Sequence, residues 1–215
     1  MKDKPSEWIA ISDLMAGVMA VVMLLLVMAV LQQSVSQMQY EAELAKAKGG
    51  QGESVAKVMA TLQSMLQQNG TSELMSLDMQ SKRLTLRDGV FERGSACMTA
   101  DAKAAAVTVQ TQLAQFLKGN PQARILVEGY SDNVPVRQPV VDYQKFCTVY
   151  DDNFTLSAAR AREARKALVG ALDEMTARRV VVAGYGESRP LPGVAPEDPK
   201  NRRVEVQFVM DQARN

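Results

Sequence analysis

One aspartate stands where an aspartate is expensive. Asp13 opens an apolar run, and from Leu14 to Leu31 no charge and no strong hydrogen-bonding side chain follows. A carboxylate inside such a span costs a few kcal/mol, so it usually faces a partner helix or a water path and serves ion transfer. On a helix Ala16, Gly17 and Ala20 share its face, three, four and seven positions on. Small side chains there let another helix close around the carboxylate. The bulkier Met15, Met19, Val22 and Leu26 take the other side. An Asp13 enclosed in this way can take up a proton from one side and release it to the other. The competing reading places Asp13 in the headgroup zone as a helix cap. Only Ser12 offers a hydroxyl beside it, which favours H⁺ over Na⁺.

The other residues with chemical potential lie far downstream: Asp132 and Asn133, Asn153 with Leu156 and Arg160, and the pair Arg202 and Arg203. The chain contains no histidine, which removes Ser/His/Asp and Cys/His catalysis and imidazole metal sites. Lys+Arg is 25 against Asp+Glu 24, a net charge of +1, so no nucleic-acid partner is read. The acid pairs Asp151-Asp152 and Glu197-Asp198 read as solvated loop charges, and no Gly-rich phosphate loop or metal-ligand spacing appears. Neither an enzyme, a cofactor nor a metal is read.

Positioning these residues takes three kinds of element. Residues 9–31 are about 23 positions, or ~35 Å of helix, enough to cross a bilayer. The run exceeds a signal-peptide core, and no small-x-small cleavage site precedes Gln32, so it reads as an uncleaved anchor. Lys2 and Lys4 precede it, and the next basic residue is Lys46, which puts residues 1–8 in the cytoplasm and everything from Gln32 outside it. Trp8 takes an interfacial position. Residues 32–75 read as a polar, alanine-rich linker broken at Gly49-Gly50 and Gly52. Within it Val55, Val58, Met59, Leu62, Met65 and Leu66 form a helical stripe, which either covers part of the next domain or presses two copies together. In the rest, 76–215, strands are expected at Arg83–Arg87, Arg124–Glu128, Arg178–Ala183 and Val204–Met210. Helices are expected over Thr99–Leu117, with Ala104, Val107, Leu113 and Phe116 as the stripe, and Leu156–Met175. The β-α-β-α-β-β order implies an α/β sandwich with helices on one face of a mixed sheet, an α+β fold overall.

Two resemblances follow from these residues. Trp8-Ile-Ala-Ile-Ser-Asp13-Leu-Met-Ala-Gly-Val-Met19 resembles the membrane segment of the stator B subunits, the MotB family and its relatives, in which the aspartate carries the ion. Gly129-Tyr-Ser-Asp132-Asn133, Asn153-Phe-Thr-Leu156-Ser-Ala-Ala-Arg160-Ala, Gly184-Tyr-Gly-Glu187 and Asn201-Arg202-Arg203-Val-Glu205, in that order, resemble the OmpA-like peptidoglycan-binding domain over roughly Leu84–Met210. The second resemblance implies that Asp132, Asn133, Asn153, Leu156, Arg160, Arg202 and Arg203 meet peptidoglycan. Asp132 would hold the ammonium and Arg160 the carboxylate of the diaminopimelate in its stem peptide. Against this stands mutual pairing of Asp132 with Arg160, and a solvated strand edge for Arg202 and Arg203.

The chain departs from the family in the long insert Val134-Pro-Val-Arg-Gln-Pro-Val-Val-Asp-Tyr-Gln-Lys-Phe-Cys-Thr-Val-Tyr-Asp-Asp152. Cys147 lies in it, and on the oxidising side of a membrane a disulfide with Cys97 would tie the insert to the segment before the first domain helix. Two free or intermolecular thiols are the alternative.

Together the resemblances imply a single-pass inner-membrane protein with a periplasmic C-terminal domain. A homodimer would sit within a pentamer of a multi-span MotA-like subunit, because one span cannot enclose an ion path. Three relatives fit that outline: the B subunit of the Zorya anti-phage system, a flagellar stator subunit, and a passive wall anchor. Asp13 speaks against the passive anchor. A short, weakly basic N-terminal tail and the mostly polar Gln32–Gln39, where an amphipathic plug would stand, favour the first.

Overall fold

The computed structural model describes residues 7–68, 73–170 and 172–210; within the first helix the side chains of 7–14, 16, 20, 31 and 34–52 are not described. The chain forms two compact units, Met1–Gly50 and Gln51–Asn215. Helix α1, Glu7–Gln68, supplies the described residues of the first unit and the opening of the second.

In the first unit every described large apolar side chain from Met15 to Val30 is exposed, by 46–67%. Exposed apolar side chains in such number call for a covering surface. Among the described residues no helix is long and apolar enough to cross a membrane. The span expected over 9–31 is described only in part. The side chains of Asp13, Ala16 and Ala20 lie outside the described residues.

The second unit is built on a five-stranded sheet in the order β1-β2-β5-β3-β4: β1 Met75–Asp78, β2 Arg83–Leu86, β3 Ala123–Tyr130, β4 Val180–Gly184 and β5 Arg203–Met210. Only β3 and β4 pair in parallel. Helix α2, Ala100–Gly119, leads from β2 to β3 and α4, Asn153–Val169, from β3 to β4, and two short turns, α3 Tyr143–Phe146 and α5 Glu174–Ala177, lie in the connections.

Strand register sorts the side chains. Leu84, Leu86, Ile125, Val127, Val204, Val206 and Phe208 occupy one face and are buried with α2, with Ala161, Ala164 and Leu168 of α4, and with Val55, Met59, Leu62 and Leu66 of α1. The stripe of α1 thus covers its own domain. Arg83, Glu128, Tyr130, Arg203 and Glu205 alternate onto the opposite face. There Arg83 and Arg203 both pair with Glu205, Arg83 lies 3.9 Å from Glu128, and the Tyr130 hydroxyl donates to Glu128 at 2.9 Å. Burial, reinforced by Glu205, pushes the Tyr130 hydroxyl far above the usual phenol range.

Three expectations need correction. Strand β1 was not foreseen: Met-Ser-Leu-Asp is too short to show a period, and a turn built by Asp78 makes it a hairpin. Asp78 accepts from Ser81 Oγ at 2.6 Å and from the Gln80 amide at 2.8 Å. The helix expected over Leu156–Met175 stops at Val169 and restarts as α5, where the Asp173 side chain caps the Thr176 amide at 2.9 Å. In α2 the buried side is Ala102, Ala105, Ala106, Val109, Leu113 and Phe116, whereas Val107 is exposed. The run of alanines there blurs the phase of the stripe.

Candidate functional site

The ends of β3 and β4 meet the first turns of α4 at unusually short range, because glycines leave room. A Cβ on Gly129 would stand 1.9 Å from the Ser157 carbonyl oxygen, and one on Gly184 would stand 2.5 Å from the Ala158 Cβ. The Ser157 hydroxyl then accepts from the Gly186 amide at 2.9 Å, and the Ser131 amide donates to the Gly186 carbonyl at 2.8 Å. Asp152 caps α4 by accepting from the Thr155 amide at 2.6 Å. These contacts fix two things against each other: the loop after β3, which carries Asp132, and the helix that carries Arg160.

Asp132 and Arg160 are both almost fully buried, at 4% and 3% exposure, yet they do not pair with each other. The Asp132 Oδ2 takes Arg202 Nη1 at 2.7 Å, and its Oδ1 accepts from the Val134 amide at 3.3 Å. The Arg160 Nε donates to the Ser95 carbonyl at 2.9 Å, its Nη1 lies 3.7 Å from Asp88 Oδ1, and the Phe91 ring stands 5.4 Å from its guanidinium carbon. Among the described residues nothing accepts from its Nη2. Asp88 holds the group together: its Oδ2 takes Arg202 Nη2 at 2.9 Å while its other oxygen faces Arg160. Burial holds the Arg160 guanidinium below the usual arginine range, and Asp88 opposes that shift. The hydrogen bond to Asp88 raises Arg202 instead. The result is an alternating row, Arg160–Asp88–Arg202–Asp132, whose two ends are the least solvated.

The remaining expected residues divide. Asn153 braces the loop, its amide donating to the Asp132 carbonyl at 3.2 Å and the Val134 carbonyl at 3.0 Å. Leu156 is buried, and Asn133 is exposed with its backbone amide on the Pro196 carbonyl at 3.1 Å. Arg203 is not at the site. As the strand residue after Arg202 it points to the opposite sheet face, 2.6 Å from Glu205 and over the Tyr130 ring. Asp88, which the sequence reading does not single out, is the further member of the row. Its position two residues past β2, ahead of Val90 and Phe91, was the available signal.

Cys97 and Cys147 form the expected disulfide. It clamps the insert onto the turn that supports Arg160: Ser95 Oγ and the Ala96 amide both donate to the Phe146 carbonyl, at 3.1 and 3.0 Å. Arg162 Nη2 donates to the Cys147 carbonyl at 2.7 Å. Among the described residues no group of three or more His, Cys, Asp or Glu is arranged to hold a metal ion.

Several solved structures are similar to this chain. A MotB-like protein from Desulfovibrio vulgaris is 19% identical, with a TM-score of 0.55 over 74% of this chain and 96% of that one. The cell wall anchor of the T6SS from Pseudomonas aeruginosa is 23% identical over 70% and 97%, at a TM-score of 0.49. The periplasmic domain of Helicobacter pylori MotB is 20% identical over 60% and 74%, at 0.44. No curated protein matches the sequence. The OmpA family model matches residues 90–203, more than half of the chain, and takes in Asp132, Arg160 and Arg202; the chain belongs to the OmpA family.

Proposed function

We propose that this chain is the peptidoglycan-anchored subunit of a proton-driven inner-membrane motor of the MotA/MotB type. One observation carries the anchoring half: a nearly buried guanidinium, Arg160, holds one firm hydrogen bond and one loose ion pair beside a nearly buried carboxylate, Asp132. An incoming carboxylate can replace the loose Asp88 contact and engage the free Nη2 in a bidentate pair. An incoming ammonium finds Asp132 at the other end of the row. A zwitterion such as the free end of diaminopimelate satisfies both, and a simple anion or cation satisfies only one.

The motor half rests on the sequence of α1. Asp13 lies five residues after Trp8 on the stator-like pattern, and exposed apolar side chains follow it from Met15 to Val30. A passive tether has no use for a carboxylate there. Two copies would supply two such carboxylates inside a pentameric MotA-like ring, with the cytoplasm at the N-terminus and the wall at the other end. Within this class we read the chain as the Zorya-type B subunit, since Gln32–Gln39 is too polar for an amphipathic plug. The flagellar stator subunit is the alternative.

The test of anchoring is co-sedimentation of the full chain, in detergent, with purified peptidoglycan. Arg160→Ala and Asp132→Ala should each abolish it, because each leaves one charge of the zwitterion unpaired in a desolvated site, a loss of a few kcal/mol. Undiminished binding by both variants overturns the assignment. Expression with the cognate ring subunit, followed by phage challenge and swimming assays, separates the two motor readings.

A further inference from the structure

Beside the charged row lies a cleft of about 530 Å³ between the β1–β2 hairpin and the loop that leads into β5. Its size is within the roughly 300–1,000 Å³ of small-molecule sites. Asp88 and Arg202, the middle pair of the row, line it together with Leu191 and Thr85. Arg87 and Lys200 also line it, both exposed. Among the described residues no carboxylate pairs with either of them. Arg202 is neutralised by Asp88 and Asp132, and Arg203 by Glu205. The cleft therefore keeps two uncompensated cations in a chain whose net charge is only +1.

We propose that this cleft is a second subsite, which binds a further carboxylate of the same ligand whose zwitterionic end lies at Arg160 and Asp132. The inference rests on the wall-binding reading above and extends it. Asp88 cannot serve an anion, since both its oxygens face arginines, so it acts as the partition between the two subsites. An anion in the cleft finds Arg87 and Lys200 on its lining, together with Arg202. A stem peptide offers such carboxylates on either side of diaminopimelate, at the γ-linked glutamate and at the chain end. The chemistry is the same for both, so the site is assigned to a stem carboxylate and the probes decide which one.

The experiment is calorimetric titration of the full chain in detergent micelles with four probes: free meso-diaminopimelate, the tripeptide L-Ala-γ-D-Glu-meso-diaminopimelate, its glutamate α-amide and its C-terminal amide. The wild type should bind the acidic tripeptide about five- to tenfold more tightly than one of the two amides, the scale of one or two partly solvated charge-assisted contacts. In the double variant Arg87→Ala/Lys200→Ala that preference should vanish, and binding of free diaminopimelate should weaken only if the C-terminal amide is the weaker wild-type probe, because the chain-end carboxylate is diaminopimelate's own. If the wild type binds diaminopimelate but does not distinguish acid from amides, or if the double variant still does, the second subsite is refuted alone. If no probe binds the wild type, the wall-binding reading fails and the subsite with it.

Discussion

Arg202 and Arg203 are adjacent in sequence and serve opposite faces of the sheet. The alternation of β5 was legible, but which arginine met the site was not, because that depends on the partners Asp88 and Asp132 from the segments that follow β2 and β3. The same holds for Gly129: its identity marks a motif, and only the packed helix shows that no Cβ fits there. Gly129→Ala should destabilise the second unit by about 3 kcal/mol or more, since backbone rather than a flexible side chain stands in the way. Thermal unfolding checks this, and a melting temperature equal to wild type would contradict the close approach. Acid sensitivity also belongs to single residues. Backbone hydrogen bonds hold the carboxyls of Asp152 (from Thr155) and Asp173 (from Thr176) below their ordinary 3.8, and hydrogen bonds from Ser81 and Gln80 do so for Asp78. A depressed folded-state pKa stabilises the fold above the ordinary value, and that stabilisation is lost as pH falls through the depressed one. The melting temperature should therefore decline below about pH 4. Asp152→Asn keeps a capping oxygen without the titration, so its decline should be shallower than that of the wild type.

At the scale of elements, period was the reliable signal and interruption was not. The alternating strands after Arg83 and the stripe from Val55 to Leu66 stand in the sequence and in the fold, whereas the break between α4 and α5 depended on Asp173 winning the competition for a cap. The stripe's destination could not be read, because a helix that covers its own domain and one that pairs with a copy show the same pattern. In the structure Met59 and Leu62 have no exposure at all. Leu62→Ala should cost about 2–5 kcal/mol, the range for emptying a packed leucine site. A fragment that begins at residue 76 removes β1's first residue and the whole stripe, and it should show a broadened, early unfolding transition against one that begins at residue 51. Circular dichroism melts of the two fragments decide this. Equal midpoints would mean that the stripe is dispensable and free to serve another partner.

At the scale of the whole chain, two candidate sites fall in separate units, Asp13 in an apolar helix and the row from Arg160 to Asp132 in an OmpA fold. The charged row was partly legible because its blocks sit at strand ends and a helix start. The first unit was legible only as chemistry, since the Asp13 side chain lies outside the described residues. On the motor reading the two should fail independently. Asp13→Asn keeps the size and hydrogen-bonding shape of the side chain but cannot titrate, so the variant should still assemble with a ring subunit and still co-sediment with peptidoglycan while function is lost. Asp13→Glu should retain partial function, because titration survives and only placement shifts. Arg160→Ala should do the reverse of Asp13→Asn: proton flux through the assembled complex persists, measured by a pH-sensitive dye in vesicles, but wall attachment and output disappear. A helix cap at the headgroup level makes a different forecast, because asparagine caps a helix as well as aspartate does. A fully active Asp13→Asn variant would therefore remove the motor and leave a wall-anchored membrane protein.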